Sequence, residues 1–424
     1  MSWVRIWQLP SFANSAVIGV AAQRQGLREK IACACRCNRK LLPYPIYKAS
    51  LWCAVRRAGH DGVDRLDKRA ESVEIRSASK AYGAVRALDD VSLNVGAGEF
   101  VSLLGPSGSG KTTLLGILGG FILPSSGSIH FGGRDVTYMP PHKRDIGVVF
   151  QNYALFPHMS VGENVAFPLR ARRLPKSTWP DRVRAALAMV GLAGYEERGV
   201  AQLSGGQRQR VALARAMIFE PRLILMDEPL SALDKQLRES MQIELRVLHK
   251  RIGATIIYVT HDQREALTMS DRVAVMKDGK LIQIDEPARL HDHPADSFVA
   301  SFIGEATLLP VRRVDSCSVA LGNAVLRSAR AIPTGDALML AVHSEKLLID
   351  GGANDAACNR LTGTVTDIVY QGESLRIFLA LADGSALSLR QPTYHEAYRR
   401  IPPVGGSLTV TLHPEDTIVV PRVD

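Results

Sequence analysis

The sequence predicts an α/β fold with a mostly parallel sheet over residues 72–304, followed by a small antiparallel β barrel over residues 305–424. Three observations predict it. A phosphate-loop pattern, Gly105-Pro106-Ser107-Gly108-Ser109-Gly110-Lys111-Thr112, stands between the strand-like run Glu99–Leu104 and the helix-like run Thr113–Leu118. Apolar strands then alternate with amphipathic helices as far as Gly304. Beyond that point short runs are separated by Asp383-Gly384 and Gly405-Gly406, the punctuation of hairpins.

At 424 residues, two or three domains are expected. The hydrophobic fraction of 46% supports sizeable cores, and no apolar run reaches the roughly 18 residues of a membrane-spanning helix. The net charge of +10 is unevenly placed. Residues 1–70 carry 13 Lys/Arg against 4 Asp/Glu, and residues 71–424 carry 39 against 38. The nearly neutral body and the few aromatics of the C-terminal stretch (Tyr370, Phe378, Tyr394, Tyr398) argue against nucleic acid as a partner, because single-strand-binding modules use basic grooves and stacking rings.

Residues 1–71 read as a disordered basic extension. They hold three of the four Trp and show no period of 2 or 3.6. The apolar run 11–22 after Arg5 has the character of a weak signal-peptide core, but unstructured chain, or translated sequence upstream of the true start, fits better. No Met lies between Met1 and Met139, so a later start needs a non-Met codon. Cys33, Cys35, Cys37 and Cys53 fall in this stretch, and only Cys317 and Cys358 lie elsewhere. That usage gives no disulfide framework and fits a reducing compartment. Cys33-Ala-Cys35-Arg-Cys37 lacks zinc-knuckle spacing and has no His close behind it.

From residue 72 the order is regular. Val73–Ser79 and Ala87–Val95 alternate like paired strands, with Tyr82 in the turn between them. Gly127–Phe131 is a short strand. Residues 178–191 and Gly205–Phe219 read as amphipathic helices, and Leu223–Met226 as a buried strand. Helix 235–252, strand 255–259, helix 262–269, strands 272–276 and 280–284, and helices near 286–303 follow. The C-terminal part shows strands at Gly363–Tyr370, Leu375–Leu381, Ala386–Leu389 and Ser407–Leu412.

The chemistry of the first motif follows from its residue types. Glycines let the backbone curl so that successive N–H groups face phosphate oxygens, and the helix N-terminus adds positive potential there. Lys111 supplies a mobile ammonium for the β- and γ-phosphates, and the Thr112 hydroxyl suits Mg²⁺. Leu223-Ile224-Leu225-Met226-Asp227-Glu228 ends an apolar strand in two carboxylates, Asp227 placed for Mg²⁺ and Glu228 for the attacking water. Leu203-Ser204-Gly205-Gly206-Gln207 opens a helix with no strand before it, so its amides are a second place for phosphate.

These three motifs together resemble the signature of ATP-binding cassette (ABC) proteins over residues 72–304, a P-loop NTPase fold with a helical subdomain at about 152–215. The resemblance implies an ATP-binding set of Tyr82, stacking on adenine, and Gly105–Thr113, the last being Thr113. It assigns Gln151 to the glutamine loop, where it joins Thr112 and Asp227 around Mg²⁺, and His261 to the switch histidine beside Glu228. It assigns Ser231-Ala232-Leu233-Asp234 to the loop that crosses the dimer interface.

It further implies a head-to-tail homodimer of cassettes, each ATP lying between one phosphate loop and the partner's Ser204–Gln207. Two separate transmembrane permease subunits would dock on the helical segment, with an external solute-binding protein, at the cytoplasmic face of the cell (inner) membrane. Phe302–Leu309 and the barrel behind it resemble the OB-type (TOBE) regulatory domain of importer ATPases. Gln151–His158, Gly363–Gly372 and Pro414-Glu415-Asp416 resemble the spermidine/putrescine group, which implies polyamine uptake. Importers of iron(III), sugar, sulfate or phosphonate share the layout. Soluble cassette ATPases of translation or DNA repair carry two cassettes or a long coiled-coil insert, and neither is present. His343-Ser344-Glu345 departs from the Arg-Pro-Glu usual in the polyamine group.

Overall fold

The computed structural model describes residues 70–304, 306–349, 358–393 and 401–423. The expectations for the basic extension and its cysteines, and for Tyr394 and Tyr398, lie outside the described residues.

The cassette begins with an antiparallel hairpin, β1 (Val73–Tyr82) and β2 (Val85–Val95). Tyr82 closes β1 opposite Val85, rather than lying in the turn; the ladder carries past the Ser79 predicted as the strand's end, its register shifting at irregularities between Ile75 and Ala81. Strand β3 (Phe100–Leu104) is buried at every position and leads through the phosphate loop into α1 (Lys111–Gly119). Strands β4 (Ser126–Phe131) and β5 (Arg134–Asp135) complete a four-stranded sheet in the order β2-β1-β4-β5.

After β6 (Gly147–Val149) the chain leaves the sheet for three helices, α2 (Val161–Ala171), α3 (Trp179–Met189) and α4 (Gly205–Met217). It returns in β7 (Leu223–Asp227), α5 (Lys235–Ile252), β8 (Thr255–Thr260), α6 (Gln263–Met269), β9 (Arg272–Lys277) and β10 (Lys280–Asp285). Helix α2 escapes the sequence reading because Pro168 sits inside it. Its start was nevertheless legible: Ser160 and Glu163 form a capping box, each side chain bonding the other's amide.

The central sheet runs β10-β9-β3-β8-β7-β6, with β9, β3, β8, β7 and β6 parallel. One face packs against the antiparallel sheet and α1 through residues such as Ile75, Leu103, Leu114 and Ile257. The other packs against the helical insertion and α5 through Leu169, Leu187, Leu213 and Tyr258. Burial on both faces explains why these strands read as unbroken apolar runs.

Helices α7 (Pro287–Asp292) and α8 (Ser297–Gly304) cover the β9 side of the sheet through Leu290, Val299 and Ile303. The β-rich region follows as β11 (Thr307–Arg313), β12 (Ser318–Leu321), β13 (Ala324–Arg327), β14 (Leu338–Val342), β15 (Leu348–Ile349), β16 (Asn359–Tyr370), β17 (Ser374–Leu381), β18 (Ala386–Pro392), β19 (Ser407–Leu412) and β20 (Ile418–Pro421). They form two five-stranded sheets, β13-β12-β11-β14-β20 and β15-β19-β16-β17-β18, over one shared core. Ala300 of α8 packs on Ala341, Ile418 and Val420, which ties this region to the cassette.

Candidate active site

Four neighbouring parallel strands deliver the sequence-predicted residues to one edge of the sheet. Leu104 pairs with Thr260, Val259 with Asp227, and Met226 with Val149, so the carboxyl ends of β3, β8, β7 and β6 lie level. Out of those ends come, in the same order, the phosphate loop, His261, the pair Asp227–Glu228, and Gln151. The crevice beyond the carboxyl ends of parallel strands is where α/β folds bind ligands.

The loop is shaped by its glycines. Gly110 has φ 97°, in the left-handed region, and a Cβ there would meet the Ala87 carbonyl oxygen at 2.5 Å. At Gly105 a Cβ would meet the Met276 carbonyl oxygen at 2.3 Å. Pro106, Ser107 and Gly108 are exposed at the mouth, and Ser109 is buried beneath them. Buried Lys111 lies across the mouth, its Nζ donating to the carbonyls of Gly105 and Pro106, both at 2.8 Å. Burial holds its pKa below the ordinary lysine value, opposed by the carboxylates of Glu228 and Asp227. Thr112 is exposed beside it and Thr113 half-buried.

Glu228 is held from both sides. Gln151 Nε2 donates to its Oε2 at 3.2 Å, and His261 Nδ1 lies 3.1 Å from its Oε1. Its φ of 41° is unusual for a residue with a side chain, and its N–H is fixed to the Val259 carbonyl at 3.0 Å. Such strain persists only where surroundings impose it, and it gathers at functional sites. Burial and adjacent Glu228 push the Asp227 pKa above the ordinary aspartate value, opposed by the neighbouring Thr112 side chain and by Lys111. An acidic pair after a buried strand is often a helix N-cap. Here Asp234 takes that part for α5, accepting from Leu237 N at 2.9 Å.

Ser204 caps α4 with Gln207 in a reciprocal box. Leu203 is buried beneath it. Gly205 and Gly206 sit on Leu233 and Leu237, so close that a Cβ on Gly206 would meet Leu237 Cδ2 at 2.9 Å. The pentapeptide is thus packed against Ser231–Asp234 and the start of α5. Ser231 Oγ donates to the Glu228 carbonyl at 2.9 Å, which joins that loop to the carboxylate's own backbone. Ala232 is exposed. Tyr82 is half-exposed, with the Lys80 ammonium 5.0 Å from its ring centroid.

Arg215 braces the site, and sequence reasoning missed it. It lies on α4, buried, and donates to the carbonyls of Tyr153 at 2.5 Å and Ala154 at 2.6 Å. Both residues are left-handed, at φ 59° and 47°. The guanidinium therefore braces the turn that follows Gln151 from the helix that Ser204 begins. A lone Arg in an amphipathic helix gives no sequence signal of this contact.

A family model described as ABC transporter matches residues 88–231, and one described as TOBE domain matches residues 340–420. The sulfate/thiosulfate import ATP-binding protein CysA 2 of Chromobacterium violaceum is 44% identical over 346 residues, 82% of this chain and 94% of that one. The chain belongs to the ABC transporter family. It is 44% identical over 347 residues to the spermidine/putrescine import ATP-binding protein PotA of Rubrobacter xylanophilus, covering 78% of this chain and 90% of that one. To the PotA of Bacteroides thetaiotaomicron it is 54% identical over 237 residues, 56% of this chain and 51% of that one. This ABC protein is therefore an importer-type ATPase with a TOBE domain behind its cassette, and ATP is its nucleotide.

Proposed function

We propose that this ABC ATPase drives uptake of a small solute of the polyamine class, with Glu228 as the general base of ATP hydrolysis. The observation that carries the mechanism is the position of Glu228, bonded by Gln151 on one oxygen and by His261 on the other. In this reading the loop amides and Lys111 hold the phosphates, and Lys111 exchanges its bonds to the loop carbonyls for phosphate oxygens. Glu228 accepts the proton of the attacking water as its oxygen bonds the γ-phosphorus and the β–γ bridging oxygen leaves with ADP. His261 and Gln151 orient that carboxylate and the water.

The donor set also fits Mg²⁺, a hard cation that takes oxygen ligands. The Thr112 side chain neighbours the Asp227 carboxylate, and the Gln151 side chain stands nearby on Glu228. Bound there, the ion would neutralise charge on the β- and γ-phosphates.

The remaining parts of the reading follow the family. Two copies close head to tail, with Ser204–Gln207 of one copy completing the partner's site. The domain division is 72–304 for the cassette, about 152–215 for its helical subdomain, and 305–424 for the regulatory domain. Two transmembrane permeases dock from the membrane side, fed by an external solute-binding protein, so the ATPase works at the cytoplasmic face. An open groove lined by Met159, Gly162, Ala166, Phe167, Trp179 and Val183 offers an apolar floor for a permease helix. Sulfate or thiosulfate is the second reading, favoured by the equal identity to CysA 2 over equal length. Labelled spermidine and sulfate uptake, measured with and without the chain in cells lacking it, decides between them. Restored spermidine uptake is expected; restored sulfate uptake alone would replace polyamine as the cargo.

A further inference from the structure

Where α7 and α8 meet the C-terminal sheets, three side chains from distant parts of the sequence converge. They are His291 on α7, and His343 and Glu345 in the turn after β14. Potential ligand atoms of all three lie within 4.8 Å of one another. The two imidazoles stack with centroids 4.0 Å apart. Two stacked histidines at this junction need a reason, and the turn that carries two of these groups is the place where the chain departs from the Arg-Pro-Glu of the polyamine group.

We propose that His291, His343 and Glu345 form a binding site for a divalent transition metal of the Zn²⁺ type, clamping the C-terminal domain to the cassette. The hydrogen bonds around the cluster carry the argument. His343 is 1% exposed, and its Nδ1 lies 3.3 Å from the Gly304 carbonyl oxygen. A carbonyl can only accept, so Nδ1 holds the proton and Nε2 keeps a lone pair. That Nε2 is buried without a partner in hydrogen-bonding geometry. An imidazole fixed by a carbonyl on one nitrogen, with the other nitrogen free, is the arrangement of a metal-ligating histidine.

His291 instead faces a carboxylate on each of its ring nitrogens. Its Nδ1 lies 3.1 Å from the Asp292 carboxylate, leaving Nε2 toward Glu345 Oε1 at 3.3 Å. Two ligands on tetrahedral Zn²⁺, with bonds of about 2.0–2.1 Å, stand roughly 3.3 Å apart. Glu345 is steadied in turn by Ser344 Oγ at 3.3 Å, and Ser344 by a bond from Arg390 N to its carbonyl at 2.8 Å. Nearby cations are engaged elsewhere: Lys346 pairs with Asp416 at 3.0 Å and Arg330 donates to the Asp292 carbonyl. Gly304 permits the approach, because a Cβ there would meet His343 Cε1 at 2.2 Å. Two imidazoles and one carboxylate suit Zn²⁺ and leave a fourth position for water.

The test uses the full chain with Cys33, Cys35, Cys37 and Cys53 replaced by Ser, so that thiolates near the N-terminus cannot contribute. Excess Mg-ATP is present to fill the nucleotide site. Zn²⁺ is added, unbound metal is removed by dialysis, and zinc per chain is counted by atomic spectrometry. One zinc per chain is expected. His343→Gln and Glu345→Gln should each weaken binding by at least about tenfold, the lower end of what even an outer-shell change costs. Should His343→Gln fail to fold, the partly exposed Glu345→Gln and His291→Gln give the same reading. A parent that retains no zinc, or folded variants that retain it as the parent does, overturns the site.

Discussion

His261 Nδ1 lies 3.1 Å from Glu228 Oε1 although 33 residues separate them in the chain, because β7 and β8 are adjacent parallel strands whose carboxyl ends coincide. Gln151, at the end of β6, closes on the other oxygen at 3.2 Å. The carboxylate is thus set by three consecutive strands rather than by its own loop.

Glu228→Gln keeps the size of the side chain and removes the proton acceptor. ATP hydrolysis should fall by roughly 10²–10⁴-fold, the range for a lost general base. With binding intact and turnover blocked, the chain should form an ATP-dependent dimer, and Ser204→Arg on the same background should dissolve it. Phosphate release and light scattering after size exclusion, with and without Mg-ATP, are the measurements. A Glu228→Gln protein that turns over normally would remove Glu228 from the mechanism.

Lys111→Ala should lower turnover by about 10²–10³-fold, as expected for loss of one charge-stabilising donor. Melting temperature should hardly fall, because the ammonium is desolvated and bonded only to loop groups, the Gly105 and Pro106 carbonyls and Ser109 Oγ. Parental phosphate release by a folded variant would exclude the phosphate-loop role.

Arg215→Lys leaves one ammonium where a guanidinium served two carbonyls. The cost in stability should be roughly 1.5–3 kcal/mol, as for a buried charged hydrogen bond. Hydrolysis should fall further than stability accounts for at temperatures well below melting, since the turn after Gln151 loses its brace. Chemical denaturation alongside steady-state kinetics separates the two effects; unchanged kinetics in the folded variant would make Arg215 purely structural.

Buried Glu265 accepts from Tyr258 OH at 2.7 Å and Thr260 OH at 2.8 Å, yet burial outweighs these bonds and raises its pKa above the ordinary value of 4.5. The folded state therefore holds this proton more tightly than the unfolded chain. The associated stability is full below pH 4.5 and is lost as pH rises through the elevated folded value. Glu265→Gln should flatten that part of the stability–pH curve, read by urea titration from pH 4 to about pH 7. An unchanged slope would assign the dependence to another group.

What was legible in the sequence was local. The phosphate loop, the strand ending in Asp227–Glu228 and the helix Lys235–Ile252 each announce themselves within one window of periodicity, and the last was placed to the residue. Helix α2 was lost to a single internal Pro168, and Tyr82 was misplaced by an early strand end, because neither the bulges nor the packing that sustains these elements is written nearby.

The sequence by itself determined the cassette, its nucleotide motifs and the β-rich region, because chain-local patterns of glycine, apolar run and carboxylate suffice to specify them. Only the tertiary structure decided which motif ends touch. Strand order β3-β8-β7-β6 brings His261 and Gln151 to Glu228. The packing of α8 on β14 and β20 brings His291 to His343 and Glu345 across some fifty residues. Those contacts depend on burial of non-adjacent apolar faces, a property of the whole fold that no short window of residues carries.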